Sequence, residues 1–359
     1  MYFAHHMLTP NKTLVIRFSS IGDVVLASPL VRVFHKRFPS SQIDFVVRKE
    51  YSELIRYNPN LNHTFEFDAQ GGFQDLYRLA STIRRKKYDL IIDIHNSLRS
   101  RYIRSFSRAK KVVVINKRIF ARTMLVRLKK NYYRDIVSVA DRYIEPVGIY
   151  GIENDAQGLK IFIPDETTYK VSGIMSSLKL HTFEKVVGFC PSAKHATKRW
   201  PEERFIEAGI RLVRELKAKI ILFGGQSDTV LCTTIANGIN KKSEGEYAIE
   251  YSDQFSLLET AAAMQFCDVI VTNDSGLMHI AAAMKKKVVA IFGSTVREFG
   301  FFPVGTKNIV IERKGLYCRP CSHIGRSNCP EGHFRCMNEI QVDDVVDSIM
   351  AVDGGMKTL

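Results

Sequence analysis

Residues 13–34 read TLVIRFSSIGDVVLASPLVRVF. The run TLVIRF, residues 13–18, is the apolar pattern of a strand buried on both faces. Residues 19–23, Ser-Ser-Ile-Gly-Asp, form a small-residue turn, and a helical periodicity runs from there to about residue 38. Pro29 inside that periodicity predicts a kink or a firm helix start. A buried strand that turns sharply into a helix is how a doubly wound α/β domain begins.

Working outward, the same alternation recurs. Strand-like runs fall at residues 43–48 (IDFVVR), 63–67, 90–95 (LIIDIH) and 111–115, with helical stretches around 73–87 and 135–147. Between about 151 and 185 the pattern loosens, with Gly151, Asn154, Asp155, Gly158 and Pro164 close together, which puts a domain junction near residues 155–182. A second alternation follows: runs at 186–191 (VVGFCP), 220–225 (IILFGG), 269–273 (VIVTN) and 288–293 (VVAIFG). Helical patterns lie at 229–239, 257–266, 277–284 and 342–350, and Pro201 opens another helix at its first turn. The expectation is two Rossmann-like doubly wound domains, residues 12–160 and 180–359, facing each other across a cleft at the carboxyl ends of both sheets.

Composition narrows the class. With 359 residues, 45% hydrophobic and 25% charged, the chain has ample material for a core and is not a disordered polyelectrolyte. It lacks a run of roughly 18 apolar residues, the length of a membrane span. Residues 1–11 lack the basic start and apolar middle of a secretory signal and read as a loose leader, so a cytoplasmic protein is expected. The net charge of +15 is uneven: residues 1–160 hold 28 Lys and Arg against 14 Asp and Glu, and residues 99–134 hold 13 basic residues and no acidic one. Such a field attracts nucleic acid, anionic lipid or phosphorylated sugar, unless it is simply a solvated basic face.

Several residues stand where chemistry could occur. Asp23 starts a helix at a sheet edge. It is either a helix cap or a general base, and can be both when one carboxylate oxygen stays unused. The loop PSAKHATKRWP, residues 191–201, brings Lys194, Thr197 and Lys198 to a strand–helix junction, where helix amides and cations bind phosphate, or where a basic loop is merely solvated. Residues 272–279, TNDSGLMH, repeat that geometry. Asp274, Ser275 and Gly276 follow a buried strand, and His279 shares a helix face with Ser275. Gly224-Gly225 and Asp228 make a third, weaker strand-end turn. Neither GxGxxG nor GxxxxGK[ST] occurs, so neither a dinucleotide fingerprint nor a P-loop is present. Cys190, Cys232 and Cys267 read as small core residues. Cys318, Cys321, Cys329 and Cys336, with His323 and His333 among them, are open to structural zinc, reduced packing thiols or a disulfide.

At these segments the chain resembles the bacterial heptosyltransferases of glycosyltransferase family nine, which build the lipopolysaccharide inner core. The resemblance rests on IRFSSIGDVVLASPLVRVF, PSAKHATKRWPEERF, TNDSGLMHIAAAMKKKVVAIFGST and the YCRPC…CPEGHFRCM tail, in that order. It implies the GT-B fold, an N-terminal acceptor-binding domain and a C-terminal domain that binds a nucleotide sugar, typically ADP-heptose. It implies Asp23 as the catalytic aspartate, Thr197 and Lys198 as diphosphate contacts, and Asp274, Ser275, Gly276 and His279 as the donor loop. Asp228 and, more loosely, Phe255 fall at the nucleoside.

The mechanism this suggests is an inverting displacement with Asp23 as base and the diphosphate met by Lys198, Thr197 and the amides at Ser275-Gly276. It needs neither a cofactor nor an obligatory metal. The acceptor would be phosphorylated Kdo–lipid A at an anionic inner-membrane surface, with Arg99, Arg101 and Arg104 as acceptor contacts and the enzyme peripheral to that membrane. The competing readings are a GT-B transferase with another nucleotide sugar and, more distantly, a basic nucleic-acid-binding protein whose interleaved aromatics stack on bases. The favoured reading has no nucleic-acid partner.

Overall fold

The computed structural model describes residues 9–354. Residues 1–8, most of the expected leader, and 355–359, the end of the expected second domain, lie outside the described residues. In chain order the elements are β1 (Lys12–Ile16), α1 (Ile21–Leu26), α2 (Ser28–Arg37), β2 (Gln42–Arg48), α3 (Glu53–Arg56), β3 (His63–Phe67), α4 (Gly72–Lys86), β4 (Leu90–Asp93), α5 (Leu98–Ser107) and β5 (Lys111–Val114). Then come α6 (Ile119–Leu128), α7 (Val139–Ile144), α8 (Asp165–Ser177), β6 (Lys185–Cys190), α9 (Glu202–Leu216), β7 (Ala218–Leu222), α10 (Thr229–Ser243) and β8 (Ala248–Glu250). The chain closes with α11 (Leu257–Met264), β9 (Val269–Asn273), α12 (Gly276–Ala283), β10 (Lys287–Phe292), β11 (Asn308–Glu312), α13 (Arg335–Asn338) and α14 (Val342–Asp353).

Two compact units result. The first contains Met1–Lys117 and Val139–Phe162; the second contains Arg118–Ser138 and Ile163–Leu359. The first is built on a parallel sheet of order β3-β2-β1-β4-β5, the second on a parallel sheet of order β11-β10-β9-β6-β7-β8. In each, strand order reverses direction beside the first strand, between β1 and β4 and between β6 and β9. Ligands of doubly wound sheets bind at such a reversal, off the carboxyl ends of the strands. The helix expected from residue 23 to 38 is interrupted: Ala27 ends α1, and Pro29 lies in the first turn of α2.

The first unit packs Leu14, Ile16 and Phe18 against Phe65, Phe67, Leu79, Ile83 and Tyr88. The second packs Val187, Phe189, Phe205, Leu212, Ile235, Val345 and Ile349 around its central strands. Trp200 lies in that core, edge-on to Phe205 at 4.9 Å, and its indole donates to Ile340 O at 3.1 Å, pinning the 191–201 loop. Cys190, Cys232 and Cys267 are fully buried among the apolar residues, as the sequence suggests.

Two features depart from the sequence reading. Residues 118–138, expected within 12–160, group with the second unit. Lys129 Nζ donates to Cys318 O at 3.0 Å and Pro320 O at 2.7 Å, and the Asn131 amide donates to Glu298 Oε1 at 3.1 Å. Likewise α8, inside the expected junction, packs on α11 through the Lys170–Glu259 pair at 2.5 Å. The charge asymmetry shrinks accordingly. The first unit holds 22 Lys and Arg against 13 Asp and Glu, net +9, and the second 30 against 24, net +6. Among the described residues no helix is long and apolar enough to cross a membrane.

Candidate active site

In the first unit the chemistry gathers where β1 and β4 end. Arg17 leaves the end of β1 and its Nη1 donates to Ile94 O, just past β4, at 2.8 Å. Its Nη2 lies 2.6 Å from Asp23 Oδ1. The phenol of Tyr143, on α7, donates to the same Oδ1 at 2.9 Å, and the Arg17 guanidinium stands over the Tyr143 ring at 5.3 Å. On the other oxygen, Asp23 Oδ2 accepts from the Ser20 amide and the Ser20 hydroxyl, both at 3.0 Å.

Asp23 is thus a third-residue helix carboxylate reaching back to the cap amide, the structural role its position suggests. It does not keep one oxygen unused. Four donors address the roughly four lone-pair positions of one carboxylate. Burial, the largest single effect, pushes the Asp23 carboxyl up, but the Arg17 charge and hydrogen bond, the Ser20 amide and the Tyr143 hydroxyl together outweigh it. The net shift holds the group below the ordinary carboxylate range. The same burial and the nearby carboxylate push the Tyr143 phenol well up.

His95, packed edge-on against Phe18 at 5.2 Å, is neutral: burial first, then the Arg17 charge, push it down to about 3. Asp93, fully buried at the end of β4, accepts from the His95 and Asn96 amides and pairs with Arg104 at 2.9 Å. Arg104 is therefore held against the sheet end rather than presented as an open cation. Arg99 lies over the Phe67 ring at 5.7 Å, and Arg101 is exposed, reaching Asn96 Oδ1 at 3.5 Å. The sequence reading missed Arg17 and Tyr143. Arg17 carried a signal, because a charge inside an otherwise apolar strand must find a partner. Tyr143, 120 positions from Asp23, carried none.

In the second unit the ends of β6, β9 and β10 converge. Lys198 Nζ sits 2.7 Å from Asp274 Oδ2, with side chains 13% and 6% exposed, and the Thr295 hydroxyl donates to the same oxygen at 2.6 Å. Asn273 crosses from β9 to β6, donating to Pro191 O at 2.6 Å and accepting from the Trp200 amide at 3.2 Å. Gly293 permits the third strand to close in: a Cβ there would lie 2.5 Å from Thr197 O.

Thr197 is buried, and its hydroxyl accepts from Ser294 Oγ at 2.9 Å and from the Arg326 amide at 2.8 Å. It therefore staples the loop to its neighbours. Ser275 precedes α12, and its hydroxyl is buried without a hydrogen-bond partner. Gly276 opens α12, and His279, buried one turn on, faces the Phe301 ring at 6.4 Å. Lys194 is exposed on the loop. Asp228 follows β7 and Phe255 follows β8. Asp228 Oδ2 accepts from the Gly225 amide at 3.0 Å, and Phe255 stacks on Tyr251 at 4.5 Å.

Among the described residues no three His, Cys, Asp or Glu side chains are grouped so that they could hold a metal ion. The thiols of Cys318, Cys321, Cys329 and Cys336 are free, and Cys336 belongs to the apolar core. Between them, Arg319, also missed in the sequence, donates to Gly293 O at 2.7 Å and Thr295 O at 2.6 Å and pairs with Glu312 at 2.5 Å, bracing the end of β10.

The second unit thus brings together a lysine held by a carboxylate, an unpartnered hydroxyl and the amides that open a helix, the groups that bind phosphate. The first offers a carboxylate held ionised at a sheet edge. Comparison with known proteins agrees. Residues 76–331 match the family described as "Glycosyltransferase family 9 (heptosyltransferase)". Lipooligosaccharide heptosyltransferase 2 of Haemophilus ducreyi is 27% identical over 353 residues, 94% of this chain and 98% of that protein. The crystal structure of a family 9 glycosyl transferase from Veillonella parvula superposes with a TM-score of 0.81 at 26% identity, over 96% of this chain and 98% of that one. The structure of E. coli ADP-heptose LPS heptosyltransferase II does so at 0.71 and 23%, over 95% and 98%, and shares the fold.

Proposed function

The chain belongs to glycosyltransferase family 9, the heptosyltransferases, and we propose that it moves a heptose from ADP-heptose, with inversion, onto the inner core of lipopolysaccharide. The observation that carries the donor half is the Lys198–Asp274 pair beside the unpartnered Ser275 hydroxyl at the start of α12. A departing ADP gains negative charge on its β-phosphate, and this corner meets that charge with one cation, one hydroxyl and helix amides. Asp274 acts through Lys198, fixing where the ammonium points.

In the acceptor half, Asp23 takes the proton of the attacking hydroxyl. Its inner donors, Arg17 and Tyr143, keep it ionised and oriented. Ser20 lies on the exposed side, and its hydroxyl is the donor that turns away when the acceptor hydroxyl approaches Oδ2. Bond making at the anomeric carbon and loss of ADP are concerted, and the proton ends on Asp23. Arg99 and Arg101 attract the anionic groups of a phosphorylated Kdo–lipid A acceptor, and that basic character supports a position at the anionic inner face of the membrane. The relatives' name, lipooligosaccharide heptosyltransferase 2, supports an inner-core acceptor.

The test is a calorimetric titration with ADP, UDP and GDP, followed by an assay with ADP-heptose and an inner-core acceptor, read by mass. Selective ADP binding and addition of one heptose are expected. Preference for UDP or GDP would move the donor to another nucleotide sugar and overturn the ADP-heptose reading.

A further inference from the structure

Helices α4 and α5 pack side by side in the first unit and leave an aromatic ladder on their outer face. Phe73 meets Tyr102 at 5.4 Å, Tyr77 meets Phe106 at 5.9 Å, and Tyr102 stacks on Phe106 at 5.8 Å with the rings 11° from parallel. The Arg84 guanidinium covers the Phe106 ring at 5.0 Å. The outer members are left in solvent: Phe73 is 68% exposed, Tyr77 50% and Leu98 83%. Leu98, Tyr102 and Phe106 follow each other at four-residue steps, so they form one stripe along α5.

The core uses Leu76, Leu79, Ile83 and Ile103, and Tyr102 and Phe106 pack partly against it, whereas Phe73, Tyr77 and Leu98 belong to neither group. An exposed apolar cluster rimmed by polar residues marks a contact surface. The rim says which kind. Arg78, Arg85, Lys86, Lys87, Arg101 and Arg108 are exposed around it. The acids of the same stretch are already engaged: Asp75 beside Arg78 at 3.4 Å, Asp89 with Lys110 at 2.7 Å and Asp93 with Arg104. Rings of Phe and Tyr flanked by arginine suit the headgroup zone of an anionic bilayer, where the ring enters the boundary and the guanidinium stays with phosphate.

We propose that the α4–α5 face, through Phe73, Tyr77 and Leu98 with its arginine rim, is the surface by which this protein docks on anionic phospholipid. This rests on the membrane-surface part of the proposed function and names the face responsible. The basic stretch around α6 belongs to the second unit.

The experiment is flotation of the full-length protein with phosphatidylglycerol–phosphatidylethanolamine vesicles and with phosphatidylcholine vesicles, wild type against the triple variant Phe73→Ser, Tyr77→Ser, Leu98→Ser. ADP binding and sedimentation velocity are measured on both proteins. The wild type should float with the anionic vesicles only and detach as salt rises. The variant should bind them about tenfold or more weakly at unchanged ADP affinity. Flotation of the variant equal to wild type would overturn this face while leaving membrane association standing. No flotation of the wild type would overturn the membrane reading itself. A wild-type dimer that the triple variant splits into monomers would make the face a contact between copies and overturn the lipid assignment.

Discussion

Tyr143 donates its phenolic hydrogen to Asp23 Oδ1 at 2.9 Å, on the same oxygen that Arg17 approaches to 2.6 Å. The chain between them passes through the second unit before α7 brings Tyr143 back. The carboxylate is thereby fixed from the buried side, and on the exposed side Ser20 donates to its other oxygen.

Removing that donor has a signed consequence. As the proposed base Asp23 must be ionised, so activity is expected to fall as pH drops through its folded-state pKa, which Arg17, the Ser20 amide and Tyr143 hold low. Tyr143→Phe takes away one stabilising hydrogen bond, so the acidic limb of the kcat–pH profile moves to higher pH. A shift on the order of half a unit to one unit corresponds to a lost charge-assisted hydrogen bond. The KM for ADP-heptose should not change. A lowered Tm with an unmoved limb would mean that Tyr143 only packs.

In the proposed reaction Lys198 is the cation that meets the leaving diphosphate. Lys198→Met should weaken ADP binding in calorimetry by on the order of tenfold to a hundredfold, the range of a lost charge-assisted contact. Asp274→Asn should weaken it less, since the ammonium remains but is no longer steered.

Thr197 separates two roles. Its hydroxyl is already shared between Ser294 and Arg326. Thr197→Val should therefore cost about 1–3 kcal/mol of stability in denaturant titration, the penalty for orphaning buried polar partners. ADP affinity should change only a few-fold. A stable Thr197→Val protein with a large loss of ADP affinity would make Thr197 a direct diphosphate contact.

How much of this was legible follows from the kind of interaction involved. The strand–turn–helix at residues 13–23 was readable because burial on both faces leaves a continuous apolar run. The three strand-end loops of the second unit were readable because small and polar residues follow such runs. Edge strands β8 and β11 were not, being short or half-exposed and so free of a strong pattern. The allegiance of residues 118–138 was hidden because it rests on Lys129 meeting carbonyls nearly 190 positions away. The sequence also could not show that Thr197 and Arg104 are held by partners from other segments, so hydroxyl and charge alone overstated how open they are.

Acid stability should report the C-terminal clasp. Asp353 accepts from Lys185 and Lys287, each at 2.5 Å, tying α14 to the starts of β6 and β10. The Lys185 hydrogen bond, then that of Lys287, lowers its pKa. A depressed carboxylate contributes stability that is present above its unfolded pKa and is lost as pH falls through the folded value. Asp353→Asn should thus cost about 1 kcal/mol near neutrality, since the group is partly exposed, and flatten the loss of stability below about pH 4. Urea midpoints across pH check both.

The most direct test of the account is single-turnover heptosyl transfer by Asp23→Asn, set beside its ADP affinity. Asparagine keeps the shape of the side chain and removes the base. Transfer should be slowed by about a hundredfold to ten-thousandfold with ADP binding unchanged. Transfer within a few-fold of wild type would contradict it and remove Asp23 from the chemistry.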